Sequence, residues 1–347
     1  WQVHRHGEST PIRYEQFELT KKLQELIKPW GYGQLTSAGK RTGYKLGKFI
    51  RRRYNELLSP KYKESEIYIR STDSTRSKMT MLTAMSAVYP SLKNAWSKDI
   101  CWEPVPYTTE PARYDFNTAF VNCPDLVLFH EYTENQTSHR MSQYSNILAN
   151  ISDALNFNLT AFPLFAYKLY DFVVSQQHLG YDIGQRLTEL MLPFEFAASE
   201  AMDIMHGDDN FIDLQAGVLL KEFFTHAKGI INCTGTQRVR IYSAHDINVY
   251  SLQSVSLVNP RQGFPKYGSV FSLELRRIPE TGEFVVLPVY LPSPNETEYY
   301  LHVHGCGLPC KFDKFFEITS RYLHDVDSWR AKCGFTEDYK VDASILD

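Results

Sequence analysis

The chain alternates short apolar runs of strand length with longer stretches whose apolar residues recur at helical spacing. Trp1 to His4 form a first strand-like piece that runs into an Arg5-His6-Gly7 turn. Thr36 reads as an N-cap, and beyond it Leu46, Phe49, Ile50, Tyr54 and Leu57 share one helical face. Arg51, Arg52 and Arg53 are expected on the solvent side of that helix. "SEIYIRSTDSTRSKMTMLTAMSAVY" predicts a strand ending at Arg70, a short turn, and a helix from about Ser74. "VRIYSAHDINVYSLQ" repeats the arrangement, with a strand over 239–243 delivering His245 and Asp246 to the turn before a helix. Three strand ends therefore carry Arg5/His6, Arg70 and His245/Asp246. In an open α/β sheet such ends converge on one crevice, and the helix N-termini beyond them favour an anion.

Between residues 111 and 225 the pattern becomes helical and rich in Leu, Phe and Tyr. It predicts an α-helical cap inserted into an α/β core made of 1–110 and 226–347. "GSVFSLELRR" and "EFVVLPVYL" predict a late antiparallel hairpin joined through Pro279 to Gly282.

The formal net charge of the 347-residue chain is −3, which provides no basic field for nucleic acid or an anionic membrane. No apolar run reaches the roughly 18 residues of a spanning helix. The opening inside a strand is consistent with a leader removed upstream. Six cysteines, Cys101, Cys123, Cys233, Cys306, Cys310 and Cys333, include no CxxC pair, so zinc is not expected. Their even number allows three disulfides in any of fifteen pairings. Sequons begin at Asn135, Asn150, Asn158, Asn232 and Asn295, against roughly two expected by chance. Together these features predict a secreted, extracellular glycoprotein.

"RHGESTP", "GQLTSAGKRTGYKLGKFIRRRY", "IYIRSTDSTR" and "SAHD", in this order, resemble the histidine acid phosphatase family, the capped branch of the histidine phosphatases. The resemblance runs over essentially the whole chain. It implies a mixed sheet flanked by helices plus an inserted α cap. It also implies that His6 is the nucleophile that takes the phosphoryl group. Arg5 and Arg70 then match phosphate clamps, His245 a second phosphate-binding histidine, and Asp246 the acid that protonates the leaving alcohol. No metal or cofactor is implied. Disulfides Cys123–Cys333 and Cys306–Cys310 carry over from the family, Cys101–Cys233 would pair by exclusion, and a homodimer is a family possibility.

The match breaks at Ser9, which stands where the family's RHG-x-R-x-P motif has its second arginine. Losing one preorganised donor typically costs about 10²–10³-fold in rate. A charged hydrogen bond lost from binding costs about 1.5–3 kcal/mol more. Ile247 and Asn248 also replace the small hydroxyl residues of many members, and Arg13 is the one nearby cation that could reach back. With Arg5 and Arg70 set against Glu8 and Asp246, the pocket is nearly neutral and suits a cationic amine against an aromatic wall. The expectation is a degenerate relative, similar to acid-phosphatase-like salivary proteins of blood-feeding insects. Such a protein would sequester biogenic amines or leukotriene-type lipid mediators between core and cap. The alternatives are an active phosphomonoesterase working through a phosphohistidine at His6, and a surface-interaction protein with a vestigial pocket. His302/His304, His206-Gly-Asp-Asp, His178 and His226 receive no role.

Overall fold

The computed structural model describes residues 1–14, 19–91, 96–134, 139–343 and 346. Eight strands form one sheet: β1 (Gln2–Arg5), β2 (Ile67–Thr72), β3 (Thr108–Glu110), β4 (Val239–Ala244), β5 (Val270–Arg277), β6 (Phe284–Leu291), β7 (Tyr299–Tyr300) and β8 (Cys310–Lys311). The order is β3-β2-β4-β1-β5-β6-β7, with β8 also on β6. β3, β2, β4 and β1 are parallel, whereas β5, β6, β7 and β8 add antiparallel pairings, so the sheet is mixed. The expected hairpin is present: Val270 pairs with Leu291 and Arg277 with Phe284, and Gly282 takes φ +73 in the turn.

Six helices position the site: α1 (Ser37–Arg53), α2 (Thr75–Val88), α3 (Ala166–His178), α4 (Gln185–His206), α5 (Ile212–Ile231) and α6 (Asp246–Val255). The Thr36 side chain accepts the Gly39 N–H and caps α1 as expected. The α1 and α2 axes approach closely because Gly43 and Gly47 carry no side chain. A Cβ at Gly47 would lie 2.0 Å from the Ala84 carbonyl oxygen. The arginine run is not an idle solvated face: Arg53 Nε reaches the buried Glu274 at 2.6 Å, drawn there because a buried carboxylate needs a partner.

Apolar packing divides into separate clusters. One gathers α5 with Val3, Tyr242 and Phe271 against the sheet. A second is built from residues 141–205 together with Leu23, Ile27, Tyr250 and Phe264. Thus α5 faces the sheet, while α3 and α4 form the body above the strand ends. Cys123–Cys333 and Cys306–Cys310 are bonded. The pairing of Cys101 with Cys233 is not formed: both thiols are free and exposed. Pairing by exclusion counts cysteines and ignores distance, and here Cys101 lies in the loop before β3 while Cys233 follows the end of α5. Among the described residues no helix is long and apolar enough to cross a membrane.

Candidate active site

β1 and β4 run in parallel register, Arg5 beside Ala244, so the turn after each strand opens at the same sheet edge. Gly7 lets the β1 turn press against α1, since a Cβ there would lie 2.3 Å from the Gly39 carbonyl oxygen. Pinned in that turn, His6 donates from Nδ1 to its neighbour's Gly7 carbonyl at 2.8 Å. This leaves the Nε2 lone pair for chemistry, and Arg76 Nε donates to it at 2.9 Å. Burial, then the charges of Arg76 and Arg5, hold the His6 pKa well below its ordinary value, so the ring stays neutral. A neutral imidazole with one nitrogen fixed and the other presented is the form required of a nucleophile.

His245 lies at the start of α6, its ring 5.6 Å from that of His6. Its Nε2 meets Thr72 Oγ1 at 3.1 Å, and Asn248 Oδ1 accepts its backbone N–H at 3.1 Å. Burial, Arg76 and Arg5 again push its pKa well below the ordinary value. Asp246 follows as the first residue of α6 and accepts the Ile247 N–H at 2.8 Å.

Arg5 is almost fully buried and enclosed by its own protein. Its Nη1 donates to the Pro265 carbonyl at 2.8 Å, and its guanidinium lies 4.0 Å from the centroid of the Tyr267 ring. Nη2 pairs with Asp171 of α3 in a short contact and lies 3.3 Å from Asp246 Oδ2. Burial works against the Arg5 charge, but Asp171 and then Asp246 outweigh it and raise its pKa. Ser9 is buried at 3% exposure and lies within interaction range of the Tyr267 hydroxyl, without closing a well-formed hydrogen bond.

Arg5, His6, Ser9, His245 and Asp246 thus lie together around Tyr267. Glu8 makes no described contact with them: its carbonyl accepts from Thr36 N at 2.9 Å, and its buried Oε2 has no partner among the described residues. Arg70 does not join them in any described contact. Its Nη2 donates to Asp115 at 2.7 Å, and its guanidinium stacks 4.6 Å from the Phe116 ring centroid. The arginine on His6 is Arg76, six residues further along, near the start of α2 beyond the strand end. Arg13 is exposed and does not turn back into the pocket.

Sequence reasoning missed Arg76 and Asp171. The first could have been found, because "RSTDSTR" contains two arginines and only the second stands at a helix N-terminus. Asp171 is 166 positions from Arg5, and no local pattern marks it. His178, given no role, lies with its ring 5.4 Å from Tyr267. His206 closes α4 and is wholly buried on Gln215, because the helix continues through it. His302 and His304 are exposed.

Residues 3–271 match the model of the histidine phosphatase superfamily (branch 2). The chain belongs to that family. Human prostatic acid phosphatase is 29% identical over 97% of this chain and 88% of its own length. The venom acid phosphatase Acph-1 of Apis mellifera is 26% identical over 92% of this chain and 84% of its own. Among solved structures, the phytase from Citrobacter braakii superposes with a TM-score of 0.69 at 12% identity, over 96% of this chain and 98% of that one. The branch 2 fold, a mixed sheet with helices above its strand ends, is therefore the fold of this chain.

Proposed function

We propose that this branch 2 histidine phosphatase is a secreted, extracellular protein whose phosphate pocket has been weakened, and that it acts by binding small molecules between core and cap. The observation that carries the reading is Ser9. Where the family motif has an arginine, a short neutral hydroxyl faces Tyr267. The neighbouring Arg5 is already shared between Asp171 and Asp246. With Arg76 on His6, Arg5 and Arg76 are set among the described residues against Asp171 and Asp246, a poor balance for a phosphate dianion. Tyr267 and Phe264 supply aromatic faces, so an aromatic biogenic amine can set its ammonium on the carboxylates and its ring against this wall. A leukotriene-type acyl chain would lie along the cap. Secretion is supported by the two disulfides and by the exposure of Asn150, Asn158, Asn232 and Asn295. The Asn135 sequon lies outside the described residues.

A second reading is supported by the intact His6–Arg76 contact. In it, His6 Nε2 attacks phosphorus, Asp246 protonates the departing alcohol, and water later cleaves the phosphohistidine.

Release of phosphate from an aryl phosphate under mildly acidic conditions separates the two readings, with the native protein assayed beside Ser9→Arg. Binding predicts a near-inert native protein, a gain of about 10²-fold in the variant, and calorimetric saturation of the native protein by an aromatic amine or a leukotriene. Ordinary turnover by the native protein selects the enzyme.

A further inference from the structure

The cap reaches into the pocket with an acid. Asp171, midway along α3, has its carboxylate closed on Arg5 Nη2, and its side chain is only 16% exposed. A guanidinium clamps a phosphoryl group by presenting an edge of parallel N–H groups. Here Nη2 is engaged by Asp171 with Asp246 nearby, Nη1 is engaged by Pro265, and the buried Nε has no partner among the described residues. A phosphate approaching Arg5 must therefore displace the Asp171 carboxylate or lie against it. Little solvent is present to screen that repulsion.

We propose that Asp171 is the residue that sets charge selectivity in this pocket, competing with phosphoryl oxygens for Arg5 and holding the site against dianions. Because Asp171 sits on the cap, displacing it also breaks a tie between α3 and β1. Anion binding and loosening of α3 are then one event. The proposal rests on reading the pocket as weakened for phosphate. Its test changes Asp171 alone, whereas that reading is tested at Ser9, so either can fail without the other.

The probe is inorganic phosphate, titrated by calorimetry at fixed pH and ionic strength into the native protein, Asp171→Asn and Asp171→Glu. Asp171→Asn is expected to tighten binding by at least about tenfold, and Asp171→Glu to stay near the native value. Phosphate affinity unchanged within about twofold, or weakened, in a folded Asp171→Asn overturns the proposal. Hydrogen exchange over 166–178 of the native protein provides a second readout, which does not depend on the variant folding. Saturating phosphate is expected to speed exchange there, and unchanged or slower exchange counts against displacement.

Discussion

Two arginines six positions apart have different roles. Arg70 neutralises Asp115, whose carboxylate is wholly buried. Arg70→Ala leaves that charge unpaired, and burial already raises the Asp115 pKa in spite of Arg70. The expected cost is about 3–5 kcal/mol in a denaturant titration, with much of it recovered in Arg70→Ala/Asp115→Asn. Arg76→Ala is expected to reduce phosphate affinity by about tenfold or more, because its donor sits at His6 Nε2, and also to lower stability, because the buried guanidinium holds the Leu346 carbonyl. If phosphate affinity falls more in Arg70→Ala than in Arg76→Ala, the two assignments are reversed. The sequence alone favoured Arg70, since the pattern predicted a strand ending there, whereas β2 runs on to Thr72. A strand's pleat turns a side chain to either face, however, and pairing with Asp115 is a contact that spacing cannot reveal.

At the scale of elements, the strand–turn–helix units were legible because period 2 gives way to period 3.6 at each of them. Less visible was what holds the turns in place. Asn248 binds the His245 N–H through Oδ1 and the Asn117 carbonyl through Nδ2 at 2.7 Å, joining the α6 start to the segment after β3. Asn248 therefore has structural partners of its own. Asn248→Ala should lower stability by about 1 kcal/mol, read from thermal unfolding. Asn248→Thr should fall between the two, because it keeps an oxygen but loses the Nδ2 donor. Gly43 and Gly47 on α1 acquire their meaning only with α2 set beside them.

Across the whole molecule, acid is the condition that tests the fold. His4 and His206 are buried deeply enough that burial lowers each pKa from 6.5 to about 4. Between those values the unfolded chain binds protons that the folded chain refuses. The stability present above about pH 6.5 is therefore lost as pH falls toward 4. Melting temperatures should drop through that interval, and a flat profile contradicts neutral buried imidazoles. Counting cysteines suggested three bonds, but the fold closes two, because closure depends on geometry rather than parity. The Cys123–Cys333 bond closes a span of 210 residues that includes α3, α4, α5 and α6. Cys123→Ala/Cys333→Ala should cost about 2–5 kcal/mol in equilibrium unfolding under oxidising conditions. The same closure affects how a protease cut would appear. A single nick anywhere from 124 to 332 leaves one fragment carrying Cys123 and the other carrying Cys333, still joined. On a gel the clipped molecule should run as one band until a reductant separates it into two.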